Sequence, residues 1–198
     1  MTGPFEADDD AHDDATPLMP EERTGLIPTH VSLRRELNEL EQKNIAAADI
    51  WAFSRRRKVL DEAFLRGLHR RMFDRVWKWA GTYRTTERNI GIPSYRIRPE
   101  LHQIVDDARY WTAHDTYTPD ERAVRFHHRL VLVHPFPNGN GRWSRLVADI
   151  LVVQDGGRRF TWGAANLQAA GRVRKAYIDA LHAADNHDPA PLVAFARS

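Results

Sequence analysis

One stretch of twelve residues, HPFPNGNGRWSR at 134–145, constrains the fold more than any other part of the chain. Before it, Val124, Val131 and His134 recur at the spacing of one helix face. Its two prolines cannot continue that helix, and the Asn and Gly residues that follow tolerate unusual backbone dihedrals. A second apolar stripe then begins. The sequence therefore predicts two helices joined by a tight loop, with His134 at the inward-facing end of the first.

The loop and the start of the second helix suit a bound anion. Asn and Gly residues can turn successive backbone N–H groups into one concavity, and a helix N-terminus adds unpaired N–H groups and a positive dipole end. Arg142 and Arg145 stand in the first turns, where the dipole disfavours each cation by roughly 0.3–1 kcal/mol. Two arginines there indicate an anion such as phosphate, whose oxygens suit the guanidinium fork.

Two other interpretations fit the same residues. The loop can be a plain corner between helices, in which His134 caps a carbonyl and both arginines are solvated. Alternatively, His127, His128 and His134 could bind zinc, although no carboxylate stands at motif spacing and adjacent histidines on a helix diverge. Residue types and spacing leave all three interpretations open.

Charge divides the chain into two parts. Residues 1–23 carry eight Asp and Glu against one Arg, which predicts a disordered acidic tail. Residues 24–198 carry 28 Lys and Arg against 19 Asp and Glu, so the folded part has a net charge of +9 and should attract anions. Basic and aromatic residues do not alternate, which makes direct nucleic-acid binding the weakest of the functional hypotheses.

The composition limits the kinds of site and the cellular location that we expect. The chain has no cysteine, which excludes disulfides and thiolate metal sites. No apolar run approaches the length of a membrane span, and the acidic start is unlike a secretory signal. We therefore expect a cytoplasmic protein with no membrane contact.

Apolar stripes predict helices along most of the chain, whereas one segment differs. TYRTTERNIGIPSYRI at 82–97 is rich in Thr, Tyr and Ile around a Gly-Ile-Pro-Ser turn, which is typical of a small β-hairpin. The expected fold class is all-α with one small inserted β-hairpin. The predicted helices start near Ser32, Leu60, Leu101, Glu121, Gly141 and Val173.

The loop resembles a known signature. HPFPNGNGRWSR is similar to HxFx(D/E)GNGRxxR, the signature of the Fic family. The resemblance extends to LHRRMFDRVWKWAGTYRTTERNIGI at 68–92, to RFHHRLVLV before the loop and to RKAYIDALHAADNHDPAPLVAF after it. From about Leu26 onward the chain most resembles the Fic subfamily called mobile mystery protein B. We expect residues 24–198 to form the Fic domain.

The resemblance implies a mainly helical Fic fold and an activity, the transfer of AMP from ATP to a Ser, Thr or Tyr hydroxyl of a target protein. His134 would be the general base that takes the proton of that hydroxyl. Tyr177 would line the adenine pocket, although a core tyrosine is an equal interpretation. The phosphates would be held by Gly139, Asn140 and Gly141 as an anion hole, by Arg142 near the β-phosphate and by Arg145 at the γ-phosphate.

The resemblance also implies a role for the predicted β-hairpin. It implies a flap that aligns the backbone of the target protein by strand addition. The residues of this expected flap are Thr86, Glu87, Arg88, Asn89, Ile90 and Gly91.

Asn138 departs from the family signature. The family has Asp or Glu there, and that carboxylate binds Mg²⁺ between the phosphates. An Asn oxygen can bind Mg²⁺ but brings no charge, so the resemblance implies weakened use of the metal. The alternative is a catalytically weakened Fic pseudoenzyme that binds a nucleotide or a partner.

The resemblance raises two questions of control. Ser32–Glu36 fits five positions of an inhibitory Fic motif, but Leu37 breaks it, and an ordinary capped helix is the favoured interpretation. The subfamily usually occurs beside mobile mystery protein A, which has a helix-turn-helix. That implies a toxin–antitoxin-like pair on mobile elements, with such a protein as regulatory partner.

Overall fold

The computed structural model describes residues 24–88, 90–164 and 170–198. In these ranges the chain is mainly helical, as predicted. No helix among them is both long and apolar enough to cross a membrane. The α-helices are α1 Arg34–Phe53, α2 Glu62–Phe73, α3 Ile97–Ala113, α4 Pro119–Val133, α5 Asn140–Gln154, α6 Ala170–Asp185 and α7 Ala190–Arg197.

Helix α5 lies at the centre of the molecule. Its predicted apolar face is buried, with Trp143 and Val147 fully inaccessible. Polar residues of the helix are buried too, among them Ser144 and Asp149, so α5 is covered on more than one side. Helices α4, α2 and α1 all pack against it. The helix that carries both arginines of the loop is therefore held rigidly by its neighbours.

The start of α1 lies close to the predicted one. The helix was expected to start near Ser32, and its cap position is Leu33. The carboxylate of Glu36 accepts hydrogen bonds from the backbone N–H groups of Ser32 and Leu33, at 3.0 and 3.1 Å. Glu36 thus stabilises the helix start.

The predicted β-hairpin is not found among the described residues. Residues 82–88 and 90–93 form an irregular loop, followed by a short 3₁₀ turn at Ser94–Arg96. The carbonyls of Thr86 and Ile92 accept hydrogen bonds from the side chain of Arg84. Glu87 accepts two more from Ser94. Side chains thus take backbone groups that a two-stranded ladder would have paired, and Asn89 lies outside the described residues.

Candidate active site

The predicted loop joins α4 to α5, and two left-handed residues make its turns. His134 ends α4 with φ 48° and ψ 60°, and its N–H donates to the Leu130 carbonyl at 3.2 Å. Gly139 precedes α5 with φ 77°. A Cβ on Gly139 would lie 2.4 Å from the Phe73 ring, so only glycine fits there. The turn at Gly139 arises from the Asn-Gly pair that the sequence displays.

Asn140 closes the loop on itself. Its side chain is fully buried and makes two hydrogen bonds to Phe136, accepting from the backbone N–H and donating to the carbonyl, each at 2.9 Å. Phe136 is itself buried. The Asn140 amide therefore holds the loop shape, while only its backbone N–H is left for the anion role that the sequence assigned to it.

His134 lies in an electropositive and largely buried place. The residue is 7% exposed. Burial, followed by the charges of Arg84 and Arg88, lowers the pKa of His134 to about 4. The imidazole is therefore neutral at pH 7 and has a ring nitrogen able to accept a proton, as a general base must.

Residues 82–88 and 90–93, called the flap loop below, are tied to the end of α4 by Arg84. Its Nε donates to the His134 carbonyl at 2.7 Å and its Nη1 to the Thr86 carbonyl at 3.1 Å. Its own N–H donates to the Pro135 carbonyl at 2.9 Å. Sequence reasoning missed Arg84, because its role depends on partners that lie far along the chain. Its charge beside the predicted flap was the available signal.

Gly91 brings the flap loop against His134. Its φ is +90°, and an added Cβ would come within 2.6 Å of the His134 Cβ and 2.9 Å of an Arg84 nitrogen. Glycine is therefore required where the loop passes over the histidine. Among the other predicted flap residues, Thr86, Glu87 and Arg88 are exposed, whereas Ile90 is buried.

Arg142 pairs with a carboxylate that sequence reasoning did not select. Its Nη1 lies 2.6 Å from Oε2 of Glu41, and Glu41 also accepts a hydrogen bond from Trp77 Nε1 at 2.5 Å. Glu41 is only 4% exposed. Its place on the buried stripe of α1, between Leu37 and Asn44, was a usable signal, because a charge on such a stripe needs a partner. Helix α1 thus orients one arginine of the loop.

Arg145 and Tyr177 meet on another side of α5. The guanidinium carbon lies 5.7 Å from the centre of the Tyr177 ring. The Tyr177 hydroxyl is 3.0 Å from Nε2 of His127. His127 is buried, and this burial lowers its pKa to about 3. Tyr177 is half-buried, so the ring borders Arg145 without being enclosed in the core. The structure thereby brings together two residues that the sequence assigned to the nucleotide.

The zinc interpretation loses its support in the described ranges. His127 pairs with Tyr177, and His128 lies 2.8 Å from the Asp185 carboxylate. Within residues 24–88, 90–164 and 170–198 no group of three His, Cys, Asp or Glu side chains could hold a metal ion.

Asn138 does not fit a magnesium site held by the protein. Its side chain is exposed, and its Oδ1 accepts from the Gly139 N–H at 2.5 Å. It offers one neutral oxygen that is already used, whereas Mg²⁺ in proteins is usually held by one or two carboxylates. The part of the chain that the structure describes contains no metal-binding cluster that would compensate.

Comparisons with known proteins agree with this geometry. The model of the Fic/DOC family matches residues 59–152. Two curated relatives are each named protein adenylyltransferase fic-1. The one from Caenorhabditis elegans is 39% identical over 85 residues, which is 39% of this chain and 16% of the relative. The one from Caenorhabditis briggsae is 38% identical over 81 residues, again 39% of this chain and 16% of the relative. The chain thus matches only a small part of these longer proteins.

Solved structures share the fold over most of the chain. A Fic-1 structure from Caenorhabditis elegans has a TM-score of 0.62 at 26% identity, covering 89% of this chain and 52% of the other. The BepC effector of Bartonella tribocorum, solved with bound AMPPNP, has a TM-score of 0.65 at 19% identity, covering 88% and 95%. The matched residues 59–152 include the loop between α4 and α5, so this part of the chain is similar to the Fic/DOC family in sequence as well as in fold.

Proposed function

We propose that this protein transfers AMP from ATP to a Ser, Thr or Tyr hydroxyl of a target protein. One observation carries the proposal: a neutral, anchored His134 ends α4 directly before the loop from which α5 and its two arginines emerge. The names of the Caenorhabditis relatives support the same activity. Because those matches cover a small part of each relative, substrate and partners are also part of the proposal.

The chemistry follows from the residues of the loop. His134 takes the proton of the target hydroxyl as that oxygen attacks the α-phosphorus of ATP. The bond from this phosphorus to the bridging oxygen of the β-phosphate breaks, and pyrophosphate leaves. Backbone N–H groups at the start of α5 stabilise charge on the α-phosphate, while Arg142 and Arg145 hold the β- and γ-phosphates. Tyr177, beside Arg145, contacts the adenine.

Magnesium has no protein carboxylate to bind at position 138. No catalytic step is therefore assigned to a metal held by the protein, and charge stabilisation is assigned to the arginines and the helix N-terminus. The neutral Asn138 side chain is therefore proposed to make the transfer slow. The same observation favours a second candidate, a domain that binds a nucleotide and transfers it weakly or not at all.

The flap loop is proposed to hold the target. Thr86, Glu87 and Arg88 are exposed on the loop that Arg84 ties to His134, and an extended peptide could bind along them. We further propose a cytoplasmic enzyme of the mobile mystery protein B type with a helix-turn-helix regulatory partner. Co-purification of the chain with that class of protein tests the last point.

Labelling with ATP tests the reaction. The protein is incubated with cell lysate and divalent cation, using ATP labelled at the α or the γ phosphate, with His134→Ala as control. Label from α-ATP alone that His134→Ala abolishes is expected. Label from γ-ATP would mean phosphate transfer and would refute the proposal. ATP binding without label would leave the nucleotide-binding candidate.

Asn138→Asp tests the assignment of the metal in the same assay. A carboxylate there restores a charged Mg²⁺ ligand, so transfer should rise by about tenfold and become dependent on divalent cation. Asn138→Ser is the neutral control and should show no gain. An Asn138→Asp variant no faster than the wild type would show that the missing carboxylate does not limit the reaction.

A further inference from the structure

Both ring nitrogens of His69, on α2, form hydrogen bonds to backbone groups outside that helix. Its Nδ1 accepts a hydrogen bond from the Gly81 backbone N–H at 3.0 Å. Its Nε2 lies 3.0 Å from the Asn138 carbonyl oxygen. An N–H can only donate and a carbonyl can only accept, so the ring must carry its proton on Nε2. The side chain is fully buried, and the two bonds define one tautomer and one orientation.

The ring is also held from its faces. It stacks on Phe136 with centroids 3.6 Å apart and planes 17° apart, and Phe73 lies 4.8 Å away. Gly81 can approach the ring because it has no Cβ, which would lie 2.8 Å from the Arg70 Cβ. Burial lowers the pKa of His69 to about 3, so the ring stays neutral throughout the working pH range.

The bond to Asn138 decides where the next backbone N–H points. A peptide unit is planar and trans, so its carbonyl and its N–H point in opposite directions. His69 holds the Asn138 carbonyl towards α2, which turns the Gly139 N–H away from α2. In the structure this N–H donates to Asn138 Oδ1 at 2.5 Å, so an oxygen acceptor occupies that position. In the proposed reaction an oxygen of the α-phosphate would replace Asn138 Oδ1 as the acceptor of this N–H.

We propose that His69 is a positioning residue that aims the Gly139 N–H at the α-phosphate. It touches neither nucleotide nor target and acts through one peptide plane. The identity of the anion rests on the proposed function, whereas the aim of the N–H rests on the geometry alone. α2 thereby links the anion hole to Gly81, at the root of the flap loop.

Two variants separate the two hydrogen bonds of the ring. In His69→Gln the amide nitrogen can replace Nε2 and keep the bond to Asn138, whereas in His69→Asn the amide oxygen can replace Nδ1 and keep the bond to Gly81. With α-labelled ATP, His69→Gln should stay within about threefold of the wild-type kcat. His69→Asn should lose about 100-fold in kcat with little change in KM, as loss of an oxyanion donor does. The Tm should fall by a similar amount in both variants.

Nuclear magnetic resonance gives a test that needs no activity. The long-range ¹H–¹⁵N spectrum of the wild type should show His69 protonated on Nε2. The Gly139 amide resonance should move in His69→Asn and remain near its wild-type position in His69→Gln. A ring protonated on Nδ1, or equal losses of kcat in both variants, would overturn the proposal. A wild type that binds no nucleotide would refute the proposed function and leave the spectroscopic test of His69 standing.

Discussion

Replacing Arg84 by methionine should both loosen the flap loop and raise the pKa of His134. Arg84 is 4% exposed, and its guanidinium reaches carbonyls on both sides of the site. The bonds to His134 and Thr86 are 2.7 and 3.1 Å long, and Nη2 also donates to the Ile92 carbonyl. Methionine fills a similar volume but donates nothing, so these carbonyls lose their partner.

The magnitude follows from the two bonds whose lengths are ordinary. A hydrogen bond to a charged group contributes about 1.5–3 kcal/mol net, so two give about 3–6 kcal/mol. Water can reach part of the flap loop after the change, which places the expected loss of unfolding free energy near 3 kcal/mol. For a domain of this size that corresponds to a Tm lower by about 6–12 °C.

The same change should raise the pKa of His134. The charge of Arg84 is one cause of the lowered value, so without it the pKa moves from about 4 towards the ordinary 6.5. Arg88 also lowers this pKa but is exposed. Arg88→Met should therefore raise the pKa of His134 and leave stability within about 0.5 kcal/mol of the wild type.

Urea unfolding and a nuclear magnetic resonance titration of the His134 ring measure the two effects separately. If Arg84→Met unfolds at the wild-type urea midpoint, Arg84 does not anchor the loop. If both variants leave the His134 titration where it was, the electrostatic account of this histidine is wrong.

Three further predictions test neighbouring parts of the site. Because the lowered pKa keeps His134 neutral down to about pH 4, kcat/KM should be flat from pH 5.5 to 7.5 and fall only below pH 5; an inflection near 6.5 would contradict this. Gly91→Ala should lower the free energy of unfolding in urea by about 2–3 kcal/mol, because its φ is positive and the added Cβ would clash with His134. Gly156→Ala also has a positive φ, +85°, but its Cβ would meet open space, so it should cost about 1 kcal/mol. Equal costs would show that close packing at Gly91 contributes nothing. Glu41→Gln should cost about 1–3 kcal/mol in urea unfolding because it removes the charge that pairs with Arg142. The exposed Glu39→Gln should unfold like the wild type, and an unchanged midpoint for Glu41→Gln would show that the charge pair contributes nothing.

Local pattern predicted most of the helices correctly, because each buries one face. The stripes that begin at Leu101 and Trp143 lie within α3 and α5, and their residues are buried. Helix α7 was missed, since its eight residues are too few to show a period. The hairpin was expected from Thr, Tyr and Ile content, but β-propensity yields to the partners that tertiary packing provides.

The sequence by itself determined the loop. Two prolines stop α4, glycine allows the turn at 139, and the histidine and both arginines follow from the motif. The sequence pattern therefore gave the position proposed for the general base, the loop proposed to bind the anion, and the departure at Asn138. These features depend on residues that are close along the chain, where backbone conformation and helix spacing are set locally.

Only the tertiary structure decided what holds that loop in place. Arg84 meets His134 across 50 positions, His69 meets Asn138 across 69, and Glu41 meets Arg142 across 101. Such pairs form when helices pack, and no local period encodes which buried polar group will face which. A buried charge or ring nitrogen must find a partner, however, so the fold satisfied each of them at the site and made distant residues part of it.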